Sequence, residues 1–307
     1  MRFMRCINWW HLGKTSLLVG FLFFFCEVLI YYVVLLQCTW PQIQTNTKHS
    51  TVKAMLLADV HLLGPRFGHW FDKLRREWQM YRTFQTAMTL HNPQVVFILG
   101  DIFDEGHQCN EMQFNNYVKR FHSVFSVPED TKLHVVIGNH DIGFHYGISP
   151  QLKDRFEKSF NTSSVELLTI NNNIFVLVNS MALHGDNCFL CKPAEDKLKD
   201  ISEMLRCAKN GGVGNIVKST NLLRISPGSI FLQENIEWTL PSFSWRNKND
   251  PSFVLAVFAP DTFLVSKCYM PKESTVIHLY MIGGFLILMW IYFSRYRYFK
   301  GTFYKEK

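Results

Sequence analysis

Two long apolar runs lie near the ends of the chain and predict two membrane-spanning helices. They cover residues 17–36 and 276–293, and each is close to the roughly 20 residues that a helix needs to cross a bilayer. A cleaved signal peptide is the alternative for the first run, but the run is long for one and the sequence QCTW after it is a poor cleavage site. A buried core helix is the alternative for the second run, and the basic tail beside it argues for a span.

The distribution of charge predicts which side of the membrane each segment occupies. Basic residues lie at the terminal side of both runs, namely Arg2, Arg5, Lys14, Arg295, Arg297, Lys300, Lys305 and Lys307. The positive-inside rule then places residues 1–16 and 294–307 in the cytosol and residues 37–275 in a lumen. Membrane topology therefore explains the net charge of +7 better than nucleic-acid binding does, and the chain has no nucleic-acid-reading motif. Whether Glu27, inside the first run, is protonated or faces a partner helix stays open.

Three short apolar segments between the runs have the composition of strands buried on both faces. They cover residues 54–58, 95–99 and 133–137. Two helices are predicted between them, each with one apolar face that is expected to be core. These faces are Trp70, Leu74, Trp78, Tyr81, Phe84 and Met88 in the first helix and Phe114, Tyr117, Val118, Phe121 and Val124 in the second. The remaining predicted elements are a helix over residues 155–160, a strand over 174–178, and a hairpin of 253–258 with 263–270 around Pro260 and Asp261. The order strand, helix, strand predicts parallel neighbours with right-handed crossovers, so the chain is of the α/β class.

Each of the three strands ends in side chains that can bind a metal ion. In chain order they are Asp59 and His61, then Asp101 and Asp104, then Asn139, His140 and Asp141. Because ligands bind at the carboxyl ends of the strands in open α/β sheets, we expect these side chains to lie together at one edge. Carboxylates and imidazoles suit a binuclear centre, in which one ligand is shared between the ions. Asp101, at the end of the central strand, is the best candidate for that shared ligand.

The motifs D-x-H, G-D-x-x-D and G-N-H-D, formed by these residues, resemble the first three blocks of the calcineurin-like metallophosphoesterases. The resemblance implies a β-sandwich flanked by helices. It also implies two divalent metal ions, with manganese expected and zinc or iron as alternatives. Asp59 and His61 are then expected to bind one ion and Asn139 the other, with Asp101 between them.

The residues of the third block have expected roles in the chemistry. His140 would stabilise the transition state or protonate the leaving oxygen. Asp141 would orient His140 through the second ring nitrogen. Asp104 is expected to be structural.

Longer stretches, among them FILGDIFDEG, GNHDIGFHYG and PSFSWRNKNDPSF, resemble membrane-bound members of this family that remove ethanolamine phosphate from GPI anchors. The resemblance covers residues 50–207 and 240 to the end. It implies that GPI-anchored proteins or the GPI glycolipid are the substrate. It also implies a lumenal catalytic domain in the early secretory pathway, between the ER and the cis-Golgi. A glycosylation sequon at Asn161 agrees with a lumenal domain.

Cysteine usage fits the same compartment. Six of the eight cysteines would be lumenal, namely Cys38, Cys109, Cys188, Cys191, Cys207 and Cys268, and disulfides form in that environment. The spacing Cys188-x-x-Cys191 is also that of half a zinc site. No second pair of Cys or His at the right spacing accompanies it, so a disulfide is favoured.

The resemblance fails where the family completes its metal site. The family supplies three more histidines, two of them in a G-H-x-H block, whereas after Asp141 this chain has only His145, His184 and His278 and no such block. Residues 208–239 resemble nothing in the family and are too few to hold the missing strands and helices. The chain is therefore interpreted as a shortened form. We expect a poorly packed sheet layer and weak or no activity.

Three functional hypotheses follow. The first is a metal-dependent phosphodiesterase acting on the ethanolamine-phosphate side branch of GPI. The second is a binding or regulatory protein without turnover, which the missing histidines favour. The third is a monoesterase or nucleotide pyrophosphatase with the same motifs.

Overall fold

The computed structural model describes residues 9–43, 51–183, 186–210, 222–226, 229–231, 237–246, 250–259 and 262–303. The chain divides into two compact units. One consists of residues 1–34 with 271–307, and the other of residues 35–270. The second unit holds the metal-binding motifs.

The unit 35–270 contains the predicted helices and strands in their predicted order, together with elements that the sequence did not predict. Its strands are β1 (Val52–Ala58), β2 (Val95–Leu99), β3 (Lys132–Val136), β4 (Val165–Ile170), β5 (Asn173–Val178), β6 (Leu222–Ser226), β7 (Ser229–Phe231), β8 (Glu237–Thr239), β9 (Ser252–Phe258) and β10 (Phe263–Tyr269). Its longer helices are α3 (Trp70–His91), α4 (Glu111–Val124), α6 (Pro150–Phe160) and α7 (Cys191–Asn210), and a short helix, α5, covers Asn139–Ile142. Helix α1 (Trp9–Phe24) belongs to the other unit, and α2 (Ile30–Leu35) ends at the boundary between the two.

The three predicted strands form the centre of the first sheet. Strand β2 pairs in parallel with β1 on one side and β3 on the other. Strand β9 pairs antiparallel with β1 and β10, which gives the order β10-β9-β1-β2-β3. The predicted parallel arrangement and the closing hairpin are confirmed, while Pro260 and Asp261 lie outside the described residues.

The second sheet contains strands that the sequence did not predict. Its order is β4-β5-β6-β7-β8, so three strands come from the atypical stretch 208–239. Strand β6 is parallel to β5, and β7 and β8 continue the sheet antiparallel. A strand is stable only when its backbone pairs with a neighbouring strand. The edge of β5 provides that neighbour for β6. The expected poor packing concerns side chains outside the described residues and stays a prediction.

The two sheets pack face to face as a sandwich, as expected. Alternate residues of β1, β2 and β9 point to the second sheet, and the ring of Phe97 lies 5.4 Å from that of Phe175. The opposite residues of the first sheet, such as Met55 and Ile98, pack under α3 and α4. Helix α7 packs on the second sheet, and its Ala194 and Ile201 are buried there. Helices therefore cover both outer faces of a mixed α/β sandwich.

The predicted core face of α3 is wrong in its first half. The buried apolar side chains are Met80, Phe84, Ala87 and Met88, all in the second half, whereas Trp70, Leu74, Trp78 and Tyr81 are exposed. A helix of 22 residues is about 33 Å long, and the strands of five to seven residues beneath it reach only about 17–24 Å. The helix therefore extends past the sheet.

Two helices near the two ends of the chain are long and apolar enough to span a membrane. They are Trp9–Leu35 and Glu273–Arg295. The first consists of α1 (Trp9–Phe24), a π-helical turn (Phe25–Leu29) and α2 (Ile30–Leu35), and the second belongs to α8 (Glu273–Phe303). Glu27 lies in the π turn, and its Oε1 accepts a hydrogen bond of 2.6 Å from the Tyr280 hydroxyl. Glu27 therefore faces the other apolar helix, which is one of the two possibilities that the sequence left open.

Cys188 and Cys191 form a disulfide, as favoured from the sequence. Both sulfurs are therefore withdrawn from metal binding, although Asp186 lies beside them. Asn161 is exposed at the left-handed position that follows α6. That position is accessible, and glycosylation there stays a prediction.

Candidate metal centre

The loops after β1 and β2 have an unusual backbone that brings their polar side chains together. Asp59, His61 and Asp101 have left-handed φ angles of 51°, 45° and 48°, which cost energy for residues other than glycine and cluster at functional sites. The two loops are joined by backbone hydrogen bonds, among them His61 N–H to the Asp101 carbonyl at 2.9 Å. The strained conformation is therefore held by pairing between the loops.

The loop after β3 closes onto Asp101. Gly138 approaches the Asp101 backbone so closely that there is no room for a Cβ atom. One residue further on, α5 begins, and the His140 N–H donates to Asp101 Oδ1 at 3.0 Å. Asp101 is thus held in place by contacts with the neighbouring loop.

Asp141 holds the loops rather than the ring of His140. Its carboxylate accepts hydrogen bonds from the N–H groups of Gly138, Phe103 and Ile102, at 2.8, 2.8 and 3.3 Å. Burial raises the pKa of this carboxyl well above its usual value, and the nearby charge of Asp101 raises it further. The expected contact with the His140 ring is therefore wrong, because the imidazole turns to another partner.

That partner is the backbone of Asp104. His140 Nδ1 lies 3.0 Å from the Asp104 carbonyl oxygen. A carbonyl only accepts, so the proton is on Nδ1 and the lone pair is on Nε2. Nε2 of His140 is thus available to bind an ion or, when protonated, to give a proton to a leaving group.

His61, Asp101 and His140 form the group that can hold a metal ion. Their ligand atoms all lie within 4.8 Å of one another. His61 Nε2 is 3.7 Å from Asp101 Oδ2, and the rings of His61 and His140 meet edge to face with centroids 4.8 Å apart. Two imidazoles and a carboxylate suit a divalent transition metal. The donor set therefore fits the metal that the sequence predicts.

Asp104 has a larger role at the site than the sequence suggested. Its side chain is 1% exposed, and Oδ1 lies 3.3 Å from His61 Nδ1. A buried carboxylate at that nitrogen favours the proton on Nδ1, so Nε2 presents its lone pair toward Asp101. The other carboxylate oxygen, Oδ2, is 2.8 Å from a guanidinium nitrogen of Arg246. Asp104 thus orients a ligand and is itself held by Arg246.

Arg246 belongs to a group of three arginines beside the site. Burial lowers the pKa of Arg76, and the positive charges of Arg246 and Arg75 lower it further. The Arg75 guanidinium lies over the ring of Trp245, 5.7 Å from its centroid. Helix α3, which carries Arg75 and Arg76, therefore lies next to the metal group.

Asp59 and Asn139 stay predicted ligands. Both are partly exposed, and Asp59 is not in the group of three, although its carbonyl accepts a hydrogen bond of 2.9 Å from the Ser242 hydroxyl. The catalytic role of His140 stays a prediction too. The side chains of His145 and His184 lie outside the described residues. A bound divalent ion would polarise phosphoryl oxygens and lower the pKa of water.

Replacing Asp104 by asparagine is expected to weaken metal binding about 10–100-fold, the usual effect of losing the partner of a ligating imidazole. The amide keeps the shape but not the charge that holds the proton on His61 Nδ1. Titration of the full chain with manganese measures the effect. The matched control is Asp196→Asn, which removes an exposed carboxylate on α7. Equal affinities of the two variants would contradict the role of Asp104.

Two packed sheets covered by helices on both outer faces, with metal-binding residues at the ends of parallel strands, form the architecture expected of a metal-dependent phosphoesterase. The family model for calcineurin-like phosphoesterases matches residues 52–261. The chain belongs to this family of phosphoric ester hydrolases.

Proteins named metallophosphoesterase 1 are similar over most of the chain. The one from Danio rerio is 39% identical over 333 residues, covering 87% of this chain and 87% of that protein. A homolog from Drosophila melanogaster is 38% identical over 331 residues, covering 88% and 90%. Each alignment is longer than the 307 residues of this chain, so the relatives contain positions inside the matched region that this chain lacks.

Among solved structures, the chain is similar to a Plasmodium protein, GAP50, described as the anchor in the inner membrane complex. The TM-score is 0.36 at 12% identity, covering 76% of this chain and 94% of that one. This similarity is too weak to support a statement about function.

Proposed function

We propose that this chain is a membrane-attached, metal-dependent phosphodiesterase that acts on the ethanolamine phosphate of GPI anchors. The observation that carries the proposal is the grouping of His61, Asp101 and His140 at the strand ends. The substrate rests on the resemblance of the longer sequence stretches to GPI-processing members of the family. Two apolar helices at the chain ends would hold the domain beside a lipid-linked glycan.

The reaction is hydrolysis at phosphorus. Water supplies the oxygen that bonds to phosphorus, and the bond from phosphorus to the glycan oxygen breaks. The glycan oxygen needs a proton. His140 Nε2 can give it where His61 and Asp101 hold the ion without His140, because Nδ1 is committed to the Asp104 carbonyl and one nitrogen cannot both bind the ion and carry the proton. Ethanolamine phosphate then leaves as the product.

We expect slow turnover compared with complete members of the family. The resemblance implies about seven ligands, of which this chain has Asp59, His61, Asp101 and Asn139. The three later histidines are missing, because the sequence has no G-H-x-H block. The longer relatives support the interpretation that a segment is missing within the matched region. A binding or regulatory protein without turnover is therefore the second candidate.

The test compares substrates for the full chain purified in lipid nanodiscs with manganese. A GPI-glycan phosphodiester is expected to be cleaved slowly, and Asp101→Asn is expected to abolish the cleavage. A preference for a phosphomonoester or a nucleotide would contradict the substrate class and favour a monoesterase or pyrophosphatase. Binding of the glycan without cleavage, with metal present, would favour the regulatory protein.

The predicted lumenal position has a chemical consequence at Cys38 and Cys268. Their side chains hydrogen-bond, and this contact lowers the pKa of Cys38 while it raises that of Cys268. In an oxidising lumen we expect the two thiols to lose two protons and two electrons to the oxidoreductases of that compartment and to form a disulfide. Mass-tagging of thiols before and after reduction measures it in the full chain from secretory membranes. Cys38→Ser is the control, and free thiols at both Cys38 and Cys268 in the unchanged chain would contradict the lumenal position.

A further inference from the structure

The exposed half of α3, with Phe67 just before it, carries an apolar stripe. Its members are Phe67, Trp70, Phe71, Leu74, Trp78 and Tyr81, and they are called here the α3 stripe. Trp70 and Leu74 are 66% and 60% exposed. The spacing of three and four residues puts the helical members on one side, over about 17 Å of helix. Exposed apolar patches of this kind mark sites that contact a protein or a membrane.

The composition of the stripe suits the headgroup layer of a bilayer. Trp and Tyr are enriched at membrane interfaces, where an apolar ring meets a polar environment. Basic residues lie beside the stripe, namely Arg66, Lys73 and Arg82, and the Arg82 guanidinium is 5.8 Å from the centroid of the Trp78 ring. Such cations complement lipid phosphates. The chemistry therefore fits a lipid surface.

The chain enters its second apolar helix from a point beside this stripe. Met270, the last residue of the unit 35–270, places its sulfur 3.7 Å from Gln79 Nε2 on α3. Gln79 follows Trp78 directly, and α8 begins three residues after Met270, at Glu273. Three residues of chain reach about 10 Å at most. If α8 crosses a membrane, the bilayer surface is within reach of the stripe.

The same helix lies next to the metal centre. Arg75 lies over Trp245, and the following residue, Arg246, pairs with Asp104. A bilayer contact through α3 would therefore hold the metal site close to phosphodiesters at the depth of lipid headgroups.

We propose that the α3 stripe lies in the headgroup layer of the bilayer in which the chain's own apolar helices are embedded. The proposal rests on the membrane attachment given under the proposed function. It assigns the stripe the task of positioning the metal site at the lipid surface. A soluble protein or a second copy of the chain is the competing occupant.

The experiment places a fluorescent label on the stripe of the full chain in nanodiscs. The label is attached at Leu74→Cys, in a background with Cys6 and Cys207 replaced by serine. The matched control is Met204→Cys on α7, which is 50% exposed and lies on the other outer face of the sandwich. Lipids with a nitroxide near the headgroup are expected to quench the Leu74 label several-fold more than the Met204 label. Aqueous iodide is expected to show the opposite order.

The outcomes separate this proposal from the one on which it rests. Equal quenching at both positions, in a chain that resists alkaline extraction from vesicles, would overturn the docking and leave the membrane attachment intact. Extraction of the chain by alkali would overturn both. Protection of the Leu74 label from iodide without lipid quenching would indicate a protein occupant and overturn the docking.

A second variant tests the consequence for the substrate. Leu74→Glu changes an exposed side chain and should leave the fold intact. We expect it to raise the KM for a vesicle-borne phosphodiester several-fold and to leave the KM for a water-soluble phosphodiester unchanged. Equal effects on both substrates would overturn the positioning role.

Discussion

Replacement of Asp101 by asparagine is expected to lower the metal affinity of the full chain by about 100-fold or more, since even the loss of a residue behind a ligand costs 10–100-fold. The carboxylate contributes the negative charge of the group, and both of its oxygens face site residues: Oδ1 accepts from the His140 N–H and Oδ2 lies near His61 Nε2. Asparagine keeps the shape and removes the charge. Metal content by mass spectrometry of the purified chain, followed by titration, measures the change.

The control for this variant is Asp154→Asn, which removes a carboxylate that is exposed on α6. It should retain the metal content of the unchanged chain. The stoichiometry is informative as well, because the described group offers three donors within 4.8 Å. One bound ion in the unchanged chain, lost in Asp101→Asn, would support a centre that holds a single ion. Two ions in the unchanged chain would mean that Asp59 and Asn139 complete the site, and an unchanged metal content in the variant would contradict the assignment of Asp101.

The sheet that carries the site was predictable because its strands are continuous apolar runs. Strand β2 has the predicted bounds, and β1 and β3 differ from prediction by two residues or fewer at each end. A parallel strand buried on both faces leaves a signal that needs no knowledge of its neighbours. The polar residues after each strand mark the same edge, so the location of the site followed from the order of the motifs.

The face of α3 was not predictable from periodicity. An apolar stripe at helical spacing indicates that one side of a helix meets something apolar, and the pattern does not say what. Phe84 and Met88 meet the sheet, whereas Trp70 and Leu74 extend past it. The missing information is the length of the strands beneath the helix.

The contacts that orient the His61 ring were not predicted, because they come from residues far apart along the chain. Asp104 was assigned a structural role from the sequence. It pairs with Arg246, and the strands of the second sheet lie between these two residues along the chain. The stretch PSFSWRNKNDPSF resembles the family, but nothing in its spacing indicates which carboxylate Arg246 meets. Strands β6–β8 were missed for a related reason, because their pairing with β5 is a property of the fold.

Replacement of Gly138 by alanine is expected to disrupt both the metal site and the stability of the domain. The backbone angles, φ −110° and ψ 172°, are open to any residue, so conformation is not the obstacle. The obstacle is space, since a Cβ atom would overlap the backbone and carboxylate of Asp101. Forcing a methyl group into packed backbone costs on the order of 3 kcal/mol, which corresponds to a fall in Tm of roughly 6–12 °C for a domain of this size. Thermal unfolding with and without manganese measures both effects.

The matched control is Gly147→Ala, where an added Cβ atom meets nothing within 4 Å. That variant should keep the Tm and the metal content of the unchanged chain. The comparison isolates the contact between the third loop and Asp101, because both substitutions add the same methyl group within ten residues of each other. If Gly138→Ala retained the full metal content and Tm, the loops would be free to separate, and the fixed position of Asp101 could not be what prepares the site for an ion.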